Sequence, residues 1–353
     1  MRASARARGE RAAQVSANGG ERGRVATIFD VARLAGVSHQ TVSRVLNDLP
    51  NVRPATRERV ENAIRQLRYV PSQAARALVT RRSRTLGLVA AGLPDFGPSS
   101  IVLHVNESAA DAGYAVITTT LADALGPTLR SAAEMLIRQN VEAIVLIATE
   151  RAALDAFDGW ELGVPLVAVA SEARGRALRV TIDQYRAARA AVSHLLELGH
   201  RDIRHIAGPA GSMDAEERLR GWRDRLGEAG IAVVDPPRGD WSPQSGFDLG
   251  TAMLQGGVPG AVFVSNDQMA LGLLHALAEA GLRVPEDVSV VGFDDIPEAA
   301  HFQPPLTTMR QDFVGLGRDA MAAVLAHLQD EQSTEHPEPR PSQIIVRSST
   351  RAV

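Results

Sequence analysis

Two hydrophobic rhythms divide this chain. From Thr27 to about Arg68, apolar residues recur every three or four positions. From residue 85 onward, short continuous apolar runs alternate with amphipathic segments. The first rhythm is helical and the second is that of strands and helices in turn. In "TIFDVARLA" (27–35), Ile28, Val31, Ala32 and Ala35 share one helical face. Thr27 supplies a hydroxyl for the N-cap, Asp30 puts a negative charge in the first turn, and Gly36 ends the helix. Ser38 caps a second helix that runs to about Leu46, with Val37, Val42, Val45 and Leu46 as its apolar positions. "NDLPNV" breaks the chain. Pro54 then opens a third helix to about Arg68, with Val60, Ala63, Ile64 and Leu67 inward, and Pro71 stops it.

In the longer second part, the predicted strands are 86–91, 115–119, 143–148, 166–170, 203–207, 261–265 and 288–293. Helices are expected at roughly 101–112, 128–139, 184–199, 213–229, 267–281 and 312–328. Buried runs separated by amphipathic helices imply parallel sheets with helices on both faces. So long a segment suits two lobes better than one open sheet. The segment 331–342, "EQSTEHPEPRPS", reads as a surface loop before a last strand, "QIIVR". The expected fold is an all-α helix-turn-helix head joined to a two-lobed α/β body. No run is long and apolar enough for a membrane span. The first 25 residues carry Arg2, Arg6, Arg8 and Arg11 without an apolar segment, and read as a disordered basic tail with no secretory signal.

Composition changes this picture in two ways. The chain has no cysteine, which excludes disulfides and thiolate chemistry and is compatible with the cytoplasm. Its net charge of −3 hides a strong asymmetry: residues 1–84 carry a net of +11 and the remainder a net of −14. A basic head on an acidic body directs any polyanion to the head alone.

The head also has suitable chemistry. A helix, a glycine-containing turn and a second short helix make a helix-turn-helix. The outer face of "GVSHQTVSRVLN" (36–47) carries Ser38, His39, Gln40, Thr41, Ser43 and Arg44 and no acid. Gln40 suits an adenine edge and Arg44 a guanine edge, while His39 offers a donor or acceptor to base edges. Thr27, Ser38, Thr41, Ser43, Asn47, Thr56 and Tyr69 are candidates for the phosphate backbone.

"TIFDVARLAGVSHQTVSRVLND", followed by "VRPATRERVENAIRQLRYVPSQAARAL", resembles the head and hinge of the lactose-repressor (LacI/GalR) family of transcription regulators, densely and without gaps across residues 27–78. The resemblance implies that His39, Gln40 and Arg44 read bases. It also implies that "SQAARAL" (72–78) is a hinge, too short to be helical alone, that pairs with a second hinge in the minor groove. There Leu78 would wedge into a base step. The expected division is a tail at 1–25, a DNA-binding domain at 26–70, hinge and linker at 71–84, and an effector-binding and dimerisation body at 85–353. Its first lobe takes about 85–181 and 312–341, and its second about 182–311 and 342–353.

The body's own residues point to a ligand cleft at the carboxyl ends of its strands. Asn266 and Asp267 follow a strand and precede a helix, Asp294 and Asp295 follow another, Asp183 ends "RVTID", and Arg218 sits near a helix opening. Asp267 is expected to cap its helix and Asp295 to be structural. Carboxylates, Arg and Asn suit a hydroxyl-rich ligand, and Trp241 suits the apolar face of a sugar ring. The body resembles the same family, in particular its lactose-type members, in "GDWSPQSGF", "VSNDQMALG", "GLRVPEDVSVVGFDD" and "PPLTTMRQDF". This implies a periplasmic-binding-protein-like fold, in which Arg218, Asn266 and Asp294 contact sugar hydroxyls, Trp241 and Phe313 form apolar walls, and Gln311 lies nearby. The first lobe departs from that pattern. Ala91 and Ala170 stand where polar ligand contacts are expected, so a sugar is implied and a galactoside is only one candidate.

The expected function is a sequence-specific repressor of sugar-utilisation genes, released from a palindromic operator by a sugar. The resemblance implies a homodimer, because the family's tetramer needs an extra C-terminal leucine-rich helix and no leucine heptad follows Val353. A corepressor of opposite sense and an exported sugar-binding protein are the alternatives. No cofactor or metal site is expected, nor an enzyme: "GLGRDA" (315–320) has dinucleotide-loop spacing but falls within a predicted helix.

Overall fold

A computed structural model of the chain describes residues 26–70, 82–91, 95–121, 126–172, 178–329 and 337–353. The basic tail, the hinge with Leu78, and the Ala91 side chain lie outside the described residues. The chain forms two compact units, Met1–Ser83 and Arg84–Val353.

The first unit contains three helices, α1 (Ile28–Ala35), α2 (His39–Leu46) and α3 (Pro54–Leu67). Thr27 and Asp30 close a reciprocal capping box at the start of α1. Gly36, at φ 65°, ends α1 in the left-handed conformation that a side chain resists. Ser38 then caps α2 by accepting a bond from the Thr41 amide. Val31, Ala32, Ala35, Val42, Val45, Val60 and Ala63 form the buried core, with Ile64, Leu67 and Tyr69 packed against it.

The second unit contains β1 (Thr85–Ala91), α4 (Phe96–Asp111), β2 (Ala115–Leu121), α5 (Gly126–Arg138), β3 (Ala143–Ile147), α6 (Arg151–Asp155), β4 (Leu166–Val169) and β5 (Leu178–Val180). It continues with α7 (Gln184–Glu197), β6 (Ile203–Ile206), α8 (Met213–Glu228), α9 (Pro243–Gln255), β7 (Ala261–Val264), α10 (Asp267–Glu279) and β8 (Ser289–Asp294). The last elements are β9 (Thr307–Arg310), α11 (Phe313–Leu328) and β10 (Gln343–Ile345). The strands build two five-stranded sheets, in the orders β2-β1-β3-β4-β5 and β10-β9-β8-β7-β6. The first sheet is parallel throughout. The second is parallel except for β10, which runs antiparallel to β9.

Period-two alternation puts Leu86, Leu88 and Ala90 of β1 on one face, under α4 and α11, and Val89 on the other, under α5. The second sheet is covered in the same way, by α7 and α8 on one face and by α9 and α10 on the other. The chain passes between the sheets after β5, after β9 and before β10. Arg340 fastens these crossings together: its backbone bonds to Thr181 and Asp183, and its guanidinium pairs with Asp312 and Asp319. Gly315 and Gly317, the glycines of "GLGRDA", lie inside α11; a Cβ on Gly317 would stand 2.5 Å from the His104 backbone, so this glycine serves close packing of α4 on α11.

Candidate functional site

In the first unit, the exposed face of α2 presents Ser38, His39, Gln40 and Arg44, while Thr41, Ser43 and Asn47 are half-buried at its flanks. Val42 and Val45 hold the opposite face in the core. No side-chain bond ties Gln40 or Arg44 to another described residue, so both are available to a partner. The His39 ring leans on Phe29 of α1 at 5.3 Å between centroids, which fixes its direction. The hydroxyls are engaged locally: Ser38 and Thr41 share a bond of 3.0 Å, and the Thr27 hydroxyl donates to Asp30 at 2.6 Å. Asn47 donates to the Ser43 carbonyl at 2.8 Å. Thr56 lies in the first turn of α3, and Tyr69 follows that helix against the core.

In the second unit, a cavity of about 180 Å³ opens between the two sheets. Its wall is built from residues at or just beyond strand ends: Asp95, Thr149, Ser171, Gln184, Asn266, Asp294 and Gln311. This is the general position for ligands in open α/β sheets. Trp241, Phe96, Phe313 and Ile101 supply apolar surface, with Phe96 and Phe313 edge to face at 5.9 Å.

Four polar side chains form a closed ring on this wall. Arg218 is only 4% exposed, Gln184 5%, and Asp294 and Gln311 7% each. Arg218 Nε donates to Gln184 at 2.9 Å, Gln184 donates to Gln311 at 2.8 Å, and Gln311 donates to Asp294 at 2.7 Å. An ion pair of 3.6 Å between Asp294 and Arg218 completes the circuit. The guanidinium also donates to the Ser265 carbonyl and lies over the Phe293 ring at 3.8 Å. Burial pushes the Asp294 carboxyl up to about 7, against the pull of Arg218 and the Gln311 bond, with the charges of Asp214 and Asp95 adding to the rise.

The sequence-derived residues separate into two groups. Arg218, Asn266, Asp294, Trp241, Phe313 and Gln311 all line the cavity. Asp183 does not: it caps α7 through the Arg186 amide at 2.8 Å and lies behind the wall, and its neighbour Gln184 reaches the cavity instead. The cap of α10 is likewise displaced by one residue from expectation. Asn266 accepts from the Met269 amide at 2.9 Å, while Asp267 is fully buried and accepts from Thr308 at 2.6 Å and the Ile296 amide at 2.9 Å. Burial and the nearby Asp294 hold the Asp267 carboxyl well above its ordinary range. The Asn266 amide also donates to the Trp241 carbonyl at 3.0 Å, which helps hold Trp241 at φ 74°. Asp295 is paired with Arg310 and Arg347, both at 2.6 Å, as a structural carboxylate. Ala170 lines the cavity without a polar atom in its side chain. Sequence reading missed Gln184, Asp95, Ser171 and Asp214. All four follow predicted strands or open predicted helices, which is the one local signal they carry.

Two family models match the chain: that of the bacterial regulatory proteins, lacI family, over residues 27–72, and that of the periplasmic binding protein-like domain, over residues 192–350. The lactose operon repressor of Escherichia coli (strain K12) is 35% identical over 336 residues, covering 92% of this chain and 91% of its own length. The chain belongs to the LacI family of bacterial regulatory proteins. The fold of this LacI-family protein agrees with solved structures. A lac repressor dimer bound to operator and the anti-inducer ONPF superposes with a TM-score of 0.85 at 34% identity, over 93% of this chain and 100% of that one. A complex of the transcriptional regulator CelR with cellobiose gives 0.69 at 32% identity, over 92% and 99%. These relatives are transcription regulators. Among the described residues, no helix of this LacI-family protein is long and apolar enough to cross a membrane, and no group of His, Cys, Asp or Glu could hold a metal ion.

Proposed function

We propose that this protein is a sugar-responsive repressor that acts in the cytoplasm. It binds a near-palindromic operator as a homodimer through α2 and is released when a sugar fills the cavity between the sheets. The observation that carries this reading is the pairing, in one chain, of an acid-free exposed helix face with a cavity walled by the Arg218–Gln184–Gln311–Asp294 ring. Residues 26–70 are then the DNA reader, 71–84 the hinge and linker, and 85–353 the effector and dimerisation body.

His39, Gln40 and Arg44 contact bases, and Leu78 wedges into a base step. Thr27, Ser38, Thr41, Ser43, Asn47, Thr56 and Tyr69 contact the backbone. In the body, Arg218, Asn266, Asp294 and Gln311 address hydroxyls, while Trp241 and Phe313 cover the apolar face of the ring. Gln184 replaces Asp183 in this set because its amide, bonded to both Arg218 and Gln311, lies on the cavity wall. The protein performs no catalysis on this reading. The lac repressor and CelR complexes, with ONPF and cellobiose respectively, support a sugar-like effector for this chain.

The test is an electrophoretic shift assay on an operator selected from random duplexes, repeated with a panel of mono- and disaccharides. At least one sugar should release the DNA, and an Asp294→Asn variant should lose that response. An operator complex indifferent to every sugar in the panel would remove the effector half of the proposal.

A further inference from the structure

The charge on the cavity wall is one-sided. Among its described lining residues are four carboxylates, Asp95, Glu150, Asp214 and Asp294, and one cation, Arg218. Arg218 is already committed inside the wall, to Gln184, the Ser265 carbonyl and Asp294. Its Nε and one Nη donate inside the wall and Asp294 offsets its charge, so the wall keeps an excess of carboxylates over cations.

The acids are not committed in the same way. Asp95 occupies the N-cap of α4 and Glu150 that of α6, yet neither side chain caps its helix. The Asp95 carboxylate has no hydrogen bond or ion pair to another described residue. It is half-buried on the cavity wall, where burial and the charge of Asp240 hold its carboxyl above the ordinary range. Asp214, in the first turn of α8, accepts one bond from Ser171. Carboxylates in such a setting lower the free energy of a cation that enters. A metal ion does not fit, because no described group of three or more such donors is close enough to hold one. The aromatic surface of Trp241 and Phe313 suits an organic ring, and an indole face attracts a ligand cation.

We propose that the effector of this cavity is an amino sugar with a free, protonated amine, its ammonium held by Asp95 and Asp214. The inference rests on the effector reading above and narrows it. The ring of Arg218, Gln184, Gln311 and Asp294 addresses hydroxyls, and the unpaired acids select the charge.

The test is isothermal titration calorimetry of the full-length protein. The probes are the free-amine, N-acetyl and hydroxyl forms of the hexose in the gluco, galacto and manno series, with the corresponding β-linked disaccharides. One free-amine probe should bind at least about tenfold more tightly than both its N-acetyl and its hydroxyl counterparts. In Asp95→Asn and Asp214→Asn that ratio should collapse toward unity, whereas Asp95→Glu should retain most of it. Variants are compared only where their ligand-free melting temperature matches the parent's; if neither Asn variant qualifies, the ratio in the parent decides. An N-acetyl or hydroxyl form that binds as tightly as its amine overturns the proposal but leaves the effector reading standing. Absence of binding by every probe overturns the proposal, and an operator complex indifferent to all sugars overturns the effector reading with it.

Discussion

Asp294 sits in an environment far from what its type suggests. A free aspartate loses its proton near about 3.9, whereas burial holds Asp294 to about 7. Between these values the folded protein keeps a proton that the unfolded chain has released. Stability from this group therefore falls as pH rises through the window, and the loss is complete above the folded value. Asp294→Asn removes that dependence. The variant's melting temperature should improve relative to the parent's between about pH 5 and about pH 8; a constant difference would mean that Asp294 is ionised throughout. His205 acts in the opposite sense: stacked between Trp222 and Phe263, it is pushed down to about 3 by burial and costs stability as pH falls. That contribution is common to both proteins and cancels in the comparison. In the other unit, Arg44→Ala should weaken specific operator binding by about 1–3 kcal/mol and relax the preference at one base position. The check is the ratio of specific to non-specific affinity in a fluorescence-anisotropy titration. An unchanged ratio would take Arg44 out of the groove.

Elements were legible where their ends carry chemistry and their interiors are apolar. Thr27, Gly36, Ser38 and Pro54 marked the head helices from local sequence; in the structure Thr27 and Ser38 cap their helices, Gly36 ends α1 and Pro54 takes the first position of α3. Four body elements escaped: the short β5 and α6, and also β9 and α9. β9, "TTMR", has no apolar run; its threonines are satisfied instead by Asp267, Ser349 and Thr350 from distant segments. α9 is rich in glycine, though Ser242 and Pro243 form a cap and first-turn signature that could have located it. Glycines on both helices let α9 lie directly on α10: a Cβ on Gly272 of α10 would stand 1.9 Å from the Pro243 carbonyl, and one on Gly246 of α9 would stand 2.1 Å from that of Met269. Backbone cannot yield cheaply there. Gly272→Ala should cost at least about 1–3 kcal/mol, the usual range for overpacking, read as a lower midpoint in urea. A midpoint equal to the parent's would show that the two helices separate easily.

At the scale of the whole molecule, charge is partitioned by function. A head of net +11 and a remainder of net −14 favour the head as the place where a polyphosphate backbone binds. Operator affinity should fall steeply as salt rises, because phosphate contacts release counterions; the lactose repressor, a relative of this chain, is the standard example of that behaviour. A shallow slope in a salt titration would argue against a basic head on DNA. If a sugar weakens operator binding, operator must weaken sugar binding by the same factor. Calorimetry with and without operator measures this, and a sugar affinity unchanged by operator would mean that the sugar does not act on DNA binding.

The amino-acid sequence alone determined the helix-turn-helix, because caps, stops and a four-residue apolar rhythm act within a few residues of one another. It also determined the alternating body and its partition of charge. Local signals located Asn266, Asp294, Arg218 and Trp241 on the cavity, and the family resemblance added Gln311 and Phe313. Only the tertiary structure decided which of two adjacent polar residues faces the cavity and which supports the fold. Gln184 was chosen over Asp183, and Asn266 over Asp267 as the cap. The reason is physical: adjacent residues share nearly the same local signals, and only partners distant in sequence, such as Gln311 for Gln184 and Thr308 for Asp267, fix the direction of each side chain.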